Sequence, residues 1–295
     1  MTRVAGWPGN GRAAALFALL IFALFSLGGC AALGERERQA VYRPSRAIPA
    51  AFSGLQAGDQ TYFVAAGNPG VGDQRAQIWW LPGPDSQAPT LLYLHGTFRN
   101  LYHNYPKMLA IREAGYSVLG VEYRGWGESS PLVPSEDSIY ADAELGWREL
   151  VLRQPDPMRR VIYGHSMGAA VAVELAARKS DGRQYGGLIL ESAFNSAVDV
   201  AAAASIFAAP LVWLSGQRFD SQAKIGALHQ PILMLHGTND NTVPLKLGRR
   251  LFDAAAGSKT FVEFAAGSHS GLHSEAPARY RSAFADFAAR LRSGP

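Results

Sequence analysis

The sequence predicts an α/β protein with a mostly parallel sheet of eight strands, helices on both faces and a small helical lid. Short apolar runs alternate with helical stretches through most of the chain, which is typical of parallel sheets covered on both sides. Residues 51–295 have the length of one large domain. In such folds, functional side chains gather beyond the carboxyl ends of the strands.

Residues 1–29 have the features of a secretory signal peptide. Arg3 and Arg12 form a positive start, and an uncharged apolar stretch follows from Ala13 to Leu27. The stretch ends in Leu-Gly-Gly-Cys, which resembles the bacterial lipoprotein signal. That resemblance implies cleavage before Cys30 and attachment of lipid to its thiol. Cys30 is the only cysteine of the chain, so it forms no intramolecular disulfide. An uncleaved anchor is the alternative, because Ala13–Leu33 is apolar and just long enough to span a bilayer.

Either interpretation tethers the domain to a membrane and places it outside the cytoplasm, in the cell envelope. If the host has an outer membrane, sorting there is permitted. Residues 30–50 then form the lipidated end and a polar tether. The net charge of the whole chain is +4, and signal cleavage would lower it to +2. We therefore expect no nucleic-acid partner, since no basic run interleaves with aromatic residues. The oligomeric state is left open.

Alternating or continuous apolar runs bounded by turn residues predict eight strands. They are Thr61–Ala65, Ala76–Leu81, Thr90–Leu94, Ser117–Glu122, Arg160–Tyr163, Leu188–Glu191, Ile232–His236 and Thr260–Phe264. Helical stretches alternate with the later strands. They are Tyr105–Ala114, Glu136–Arg153, Met167–Lys179, Leu245–Ala256 and Ala276–Arg292.

A glycine-bracketed serine follows the fifth predicted strand. The sequence Gly164-His-Ser166-Met-Gly168 lies between that strand and an alanine-rich helix, which is the context of a nucleophile elbow. The two glycines allow strand and helix to approach closely around Ser166. The Met167 N–H then lies at a helix N-terminus, where negative charge is stabilised. Ser166 is therefore predicted to be a nucleophile and Met167 to donate to an oxyanion.

A serine nucleophile needs a base, an orienting acid and a second oxyanion donor. Asp240 follows the strand that ends at His236, and His269 follows the last strand between two glycines. Thr97 follows the third strand after Gly96, so its N–H is the second predicted oxyanion donor. A turn aspartate is the alternative for Asp240, and a solvated loop histidine is the alternative for His269.

Five further residues near these positions have acid or base side chains. Glu191 also follows a strand and is the rival acid, while His273 is the rival base without a tight glycine bracket. His95, His165 and His236 are expected to be structural. The histidines lie far apart without the spacing of metal ligands, so no metal site and no cofactor are predicted.

The segment between strands six and seven, about residues 192–230, is the predicted lid. The run Val198–Leu214 is almost entirely apolar, and a helix apolar on all sides is buried, lines an apolar site or touches lipid. One interpretation is a helix packed on the core. The other is a lid whose inner face binds an acyl chain, with Phe207 and Trp213 as the candidate substrate-binding residues.

The chain resembles the α/β-hydrolase superfamily, and within it the small-lid serine hydrolases such as acyl-protein thioesterases, lysophospholipases and monoglyceride-lipase-like esterases. The likeness lies in His95-Gly-Thr97, Glu122-Tyr-Arg-Gly-Trp-Gly-Glu-Ser129, the elbow, Arg218-Phe-Asp-Ser-Gln222 and the segments around Asp240 and His269. The family order of Ser, Asp and His matches their order here.

The resemblance implies a membrane-anchored serine hydrolase that cleaves esters or thioesters of hydrophobic acyl groups from small-molecule or lipid substrates through an acyl-enzyme. An amide-cleaving serine aminopeptidase on the same fold is the alternative enzyme. A lipoprotein that retains the fold but only binds a lipid or a partner is the alternative from another class.

Overall fold

The computed structural model describes residues 34–67, 73–204 and 216–293. Its centre is a sheet of eight strands. They are β1 (Gln60–Ala65), β2 (Arg75–Leu81), β3 (Thr90–Leu94), β4 (Ser117–Glu122), β5 (Arg160–His165), β6 (Gly187–Glu191), β7 (Ile232–Gly237) and β8 (Lys259–Phe264). Their order across the sheet is β1-β2-β4-β3-β5-β6-β7-β8. Only the pairs β1/β2 and β2/β4 are antiparallel, so the predicted mostly parallel eight-stranded sheet is confirmed.

Helices connect the strands and cover both faces. The first, α1, is described from residue 34 to 42. The others are α2 (Leu101–Glu113), α3 (Glu136–Arg153), α4 (Met167–Arg178), α5 (Ala197–Ala204), α6 (Gln222–Ile225), α7 (Leu245–Ala254), α8 (Leu272–Glu275) and α9 (Pro277–Ser293), with a 3-10 turn at Pro157–Arg159. Among the helices of the described ranges, none is long and apolar enough to cross a membrane.

The core lies in two layers because successive side chains of each strand point to opposite faces. On β5, Ile162 packs with α3, α4 and α7, whereas Val161 and Tyr163 pack with α2 and α9. All of β3, β4, β5, β6 and β7 is buried. These continuous apolar runs are what a parallel sheet covered on both sides requires.

The second helix begins four residues before its predicted start at Tyr105. Asn100 caps it, because its side chain accepts a hydrogen bond from the His103 N–H at 3.2 Å. The buried carboxylate of Glu122, at the end of β4, accepts a second one from the Leu101 N–H at 2.8 Å. This acceptor lies far along the chain, so a local helix pattern does not indicate it.

The described part of the predicted lid contains α5 and α6. The residues of α5 from Ala197 to Ala201 are half-buried, and Ala202–Ala204 are exposed, although only Asp199 among them is charged. Ala197 and Val200 pack against the core, so the described part of the run is compatible with both interpretations, and the lid stays a prediction. Phe207 and Trp213 lie outside the described residues, as do the predicted signal peptide and Cys30.

Candidate active site

The sheet order reverses between β3 and β5, and this reversal creates a crevice at their carboxyl ends. From β3 the chain proceeds to β4 on one side, while β5 pairs with β3 on the other. A crevice opens where the connections that follow two neighbouring strands run to opposite sides. Open α/β sheets bind their ligands in such a crevice. Thr97 follows β3 and Ser166 follows β5, so both lie at this position.

Ser166 occupies a sharp turn between β5 and α4. Its backbone has φ +56° and ψ −122°, a conformation that costs a non-glycine residue about 1–3 kcal/mol. A Cβ on Gly164 would lie 2.0 Å from the Gly168 carbonyl oxygen. A Cβ on Gly168 would lie 2.0 Å from the Leu94 oxygen. Both glycines are therefore required for strand and helix to pack around the serine.

We expect Gly168→Ala to lower the free energy of unfolding by about 3 kcal/mol or more, because its methyl group would collide with backbone oxygens that cannot rotate away. Urea denaturation measures this change. Gly226→Ala is the matched control, since its Cβ meets only the Ala254 oxygen at 3.4 Å and its φ of −66° suits alanine. Equal stability of the two variants would contradict the prediction.

His269 connects the serine to Asp240. Its Nε2 lies 2.9 Å from Ser166 Oγ, and its Nδ1 lies 2.8 Å from Asp240 Oδ2. Because an ionised carboxylate only accepts hydrogen bonds, Nδ1 carries the proton and Nε2 is left to accept the Ser166 O–H. The side chains of Ser166, His269 and Asp240 thus form one continuous hydrogen-bonded chain.

Two residues that sequence reasoning missed hold the backbone of His269. The His165 Nε2–H donates to the His269 carbonyl oxygen at 2.9 Å, and the Ser192 Oγ–H donates to the same oxygen at 3.0 Å. Burial, with the nearby Lys107 charge, lowers the pKa of His165 well below its ordinary value, so the ring is neutral. A structural role is what the sequence indicates for His165, but the sequence carries no signal for this contact.

Asp240 is held ionised in a buried loop. Its Oδ1 accepts hydrogen bonds from the Thr242 N–H at 2.9 Å and the Val243 N–H at 2.8 Å. Burial acts to raise the pKa of this carboxyl, but its hydrogen bonds with His236 and His269 outweigh burial and hold the pKa well below its usual range. Asp240 therefore remains an acceptor that fixes His269.

The loops after β7 and β8 are joined directly. The Asn239 N–H donates to the Gly267 oxygen at 3.0 Å. A Cβ on Gly237 would lie 2.1 Å from the same oxygen, so this approach requires glycine. His236 Nε2 lies 2.9 Å from the Val243 oxygen and 3.4 Å from Asp240 Oδ2. The structural role expected for His236 is thus to brace the turn that carries Asp240.

Glu191, the rival acid, is occupied elsewhere. Its buried carboxylate lies 2.5 Å from Lys107 Nζ and accepts hydrogen bonds from Tyr163 and Tyr280, both at 2.8 Å. Burial acts to raise its pKa, but the Lys107 charge outweighs burial and lowers the pKa to about 2. The carboxylate that contacts His269 is instead that of Asp240, at 2.8 Å.

His273, the rival base, lies in the short helix α8 and packs against Tyr280 with ring centroids 6.2 Å apart. Burial lowers its pKa to about 4. The hydrogen bond to Ser166 is made by His269 instead. Among the residues in the described ranges, no group of three histidine, cysteine, aspartate or glutamate side chains could hold a metal ion.

The two predicted oxyanion donors flank Ser166. Met167 is the first residue of α4, so its N–H has no partner within the helix. The loop that leads to Thr97 lies against the serine, since a Cβ on Gly96 would be 3.1 Å from Ser166 Cβ. His95, before this loop, has Nε2 3.0 Å from the buried Glu122 carboxylate. The loop is therefore anchored to the sheet beside the nucleophile.

This arrangement suits nucleophilic attack on a carbonyl group. A hydroxyl lies within hydrogen-bonding distance of a histidine that is oriented by a carboxylate, next to amides able to bind negative charge. The roles of Ser166, Asp240, His269, Met167 and Thr97 in catalysis stay predictions. Cys30, Phe207 and Trp213 lie outside the described residues.

The sequence matches the model of the family described as Hydrolase_4, serine aminopeptidase S33, over residues 87–223. It is 32% identical over 254 residues to an uncharacterized protein of Mycobacterium tuberculosis, covering 85% of this chain and 86% of that protein. It is 33% identical over 198 residues to the lysophosphatidylserine lipase ABHD12 of Danio rerio. This second match covers 62% of this chain but only 51% of the lipase, so the chain spans about half of that relative.

A solved structure of similar fold is an alpha-beta hydrolase from Vibrio vulnificus. The two structures superpose with a TM-score of 0.69 at 22% identity, over 85% of this chain and 93% of the other. At this level of identity the likeness concerns the fold.

Proposed function

Because the chain belongs to the α/β-hydrolase superfamily, we propose that it is a membrane-anchored serine hydrolase that cleaves esters or thioesters of hydrophobic acyl groups. The observation that carries this proposal is the position of His269, whose two ring nitrogens contact Ser166 and Asp240 at 2.9 and 2.8 Å. A histidine that is only structural or solvated has no need of both contacts.

In the proposed reaction, Ser166 Oγ attacks the acyl carbonyl carbon while its proton passes to His269 Nε2. Asp240 stabilises the resulting imidazolium and does not itself take the proton. The Met167 and Thr97 N–H groups hold the oxyanion of the tetrahedral intermediate, and losing one such donor typically costs about 3 kcal/mol. His269 then protonates the departing alcohol or thiol. Water, activated by the same histidine, cleaves the acyl-enzyme and regenerates Ser166.

The ester preference draws its support from the relatives and from the composition of the lid. One relative is named a lysophosphatidylserine lipase, and the lid segment of this chain is almost entirely apolar in Val198–Leu214. The family description, a serine aminopeptidase, favours amide cleavage as a second candidate. Rates on p-nitrophenyl butyrate and on aminoacyl p-nitroanilides, compared for one preparation, separate these two reactions.

A fluorophosphonate probe tests whether the chain is a serine hydrolase at all. We expect one covalent adduct per chain, located on Ser166 by peptide mass spectrometry, because the probe needs an activated hydroxyl next to an oxyanion site. A lipoprotein that only binds a lipid or partner would remain unlabelled. Labelling of the Ser166→Ala variant at the same rate would also overturn the assignment.

The acyl-pocket proposal predicts that kcat/KM rises with chain length in a series of p-nitrophenyl esters. Each methylene that becomes fully buried contributes about 0.8 kcal/mol, which is about fourfold in rate at most. Phe207→Ala and Trp213→Ala should flatten this trend for long esters and leave short ones nearly unchanged. Thermal unfolding of each variant serves as the control for lost packing. A flat profile for the unmutated enzyme would contradict the acyl pocket and favour the peptidase.

The lipid-anchor proposal predicts that Cys30→Ser changes where the activity is found. Without the thiol there is no attachment point for lipid, so activity should leave the membrane fraction or remain in an unprocessed precursor. Fractionation with immunoblotting measures both outcomes. A correctly cleaved Cys30→Ser protein that still binds membranes tightly would contradict a lipid anchor at this residue.

A further inference from the structure

The segment that follows the predicted anchor packs beside the loop of residues 95–100, which carries Thr97 and is called the oxyanion loop below. The Phe98 N–H donates to the Tyr42 oxygen at 3.4 Å. The Asn100 side-chain amide donates to the oxygens of Ser45 at 3.3 Å and Ala47 at 2.8 Å. Residues 42–47 therefore lie alongside residues 98–100. The latter come immediately after the predicted oxyanion donor Thr97 in the chain. The sequence indicated only a polar tether here.

The same segment is fixed to the end of the lid. Tyr42 is fully buried, and its hydroxyl donates to Gln217 Oε1 at 2.5 Å. Its ring packs edge-on against Phe219 and Trp126, with centroids 6.2 and 6.3 Å away. The contacts of Tyr42 thus hold α1 at the end of the sheet where Ser166 lies.

Apolar side chains are exposed around this position. Five large hydrophobic side chains are exposed in the described part of the chain, and Val41, Ile48 and Phe98 are three of them, at 37%, 54% and 50%. The guanidinium of Arg43 lies 5.5 Å from the centre of the Phe98 ring. We call the surface formed by Val41, Arg43, Ile48 and Phe98 the entrance patch. Exposed apolar side chains on neighbouring segments are compatible with an interaction surface.

The charge near the entrance patch is positive. Residues 34–50 contain four arginines and two glutamates, and Arg99 follows Phe98 directly. Arg43, Arg46 and Arg99 are all exposed. Apolar side chains flanked by arginines fit the boundary of an anionic bilayer, where rings and methyl groups enter the acyl region and guanidinium groups contact headgroups.

The distance to the predicted anchor is short. Four residue steps separate Cys30 from Gly34, which is at most about 14 Å of extended chain. Helix α1 adds about 12 Å between Gly34 and Tyr42. A lipid on Cys30 would therefore lie within about 26 Å of the oxyanion loop. A domain of this size is about 46 Å across, so the anchored end of the chain stays within little more than half of that width from the loop that carries Thr97.

We propose that the entrance patch lies on an anionic lipid bilayer, so that the mouth of the active site faces the membrane and receives its acyl substrate directly from the lipid phase. This inference rests on the membrane anchoring of the proposed function and specifies which face of the domain meets the lipid. Leu152 provides an internal comparison. It is 77% exposed and lies at the end of α3, which runs from the carboxyl end of β4 to the amino end of β5.

The test places an NBD fluorophore at one position in the full-length chain, using Ile48→Cys or Leu152→Cys, with the label site confirmed by peptide mass analysis. Each protein is reconstituted in vesicles of phosphatidylethanolamine and phosphatidylglycerol. We expect dithionite to reduce the label at residue 48 about fivefold more slowly than the label at residue 152. Nitroxide-bearing lipid should quench the label at residue 48 and leave the label at residue 152 bright.

Equal dithionite rates at the two positions would overturn the proposal. Protection of residue 48 without quenching by nitroxide lipid, growing with the protein-to-lipid ratio, would identify a second copy as the occupant and would also overturn it. A full-length chain that does not stay with the vesicles would overturn both the anchoring and this inference.

An activity measurement complements the labels. We expect Ile48→Asp to lower hydrolysis of a fluorogenic lipid ester packed in vesicles about fivefold, because a carboxylate is repelled by anionic headgroups. Hydrolysis of the water-soluble p-nitrophenyl butyrate should be unchanged, and Leu152→Asp should change neither rate. Equal vesicle rates for the two variants would contradict the proposal. Absence of butyrate hydrolysis by the unmutated chain would instead refute the proposed esterase. The difference between the NBD labels at residues 48 and 152 would still show whether the entrance patch lies on the bilayer.

Discussion

Replacing Ser166 with alanine is expected to lower kcat for a short ester on the order of 10⁶-fold, because the covalent route disappears and only weak binding effects remain. The hydroxyl is the only group of Ser166 that contacts His269 Nε2, at 2.9 Å. Steady-state rates on p-nitrophenyl butyrate measure the loss. The folded state should be retained, since alanine removes one oxygen from a nearly buried position.

Ser180→Ala is a matched control for this substitution. Ser180 follows the opposite end of α4, where its Oγ–H donates to the Ala177 oxygen at 2.8 Å. We expect its activity to equal that of the unmutated enzyme. If Ser166→Ala retained more than about a tenth of the activity, the acyl-enzyme route through this serine would be wrong.

Asp240→Asn is expected to lower kcat about 10⁴-fold, because the amide would hold the His269 ring in the wrong tautomer. The Asp240 carboxylate accepts the Nδ1–H, and this leaves Nε2 to accept the serine proton. An asparagine amide donates to Nδ1 instead and moves the ring proton to Nε2. The comparison requires rates on a short ester together with thermal unfolding of both proteins.

Glu191→Gln is compared with Asp240→Asn to decide which of the two carboxylates orients His269. It removes the charge that faces the buried Lys107, so we expect a loss of about 3–5 kcal/mol in the free energy of unfolding. The rate per folded molecule should remain within about tenfold of the unmutated enzyme, because Glu191 does not contact His269. The reverse outcome, in which Glu191→Gln abolishes turnover and Asp240→Asn does not, would make Glu191 the orienting acid.

The positions of Ser166, Asp240 and His269 could be predicted because each follows a strand recognisable from its apolar pattern. Parallel strands bring their carboxyl ends to one edge of the sheet, so residues 166, 240 and 269 converge although they are distant in the chain. The turn glycines Gly164 and Gly168 add a local signal, since a Cβ at either would collide with backbone. The apolar pattern of the strands and the turn glycines together therefore indicate the fold and the positions of these three side chains.

The supporting contacts could not be predicted in this way. The bond from His165 to the His269 oxygen spans 104 residues, and the one from Ser192 spans 77. Both depend on the exact packing of loops, which no hydrophobic period reports. The sequence does not predict the burial of Tyr42 for a related reason. Its partners Trp126 and Phe219 come from distant segments of the chain.

Glu191 links the turn that carries Ser166 to the buried core of the domain. Its backbone oxygen accepts the Ser166 N–H at 2.9 Å, while its carboxylate binds Lys107 of α2, Tyr163 of β5 and Tyr280 of α9. Regions that open independently of the rest of a protein have few buried contacts and solvent-exposed hydrogen bonds. The serine turn has the opposite character, so it belongs to the same cooperative folding unit as the central sheet. We therefore expect the position of Ser166 to persist until the domain as a whole unfolds.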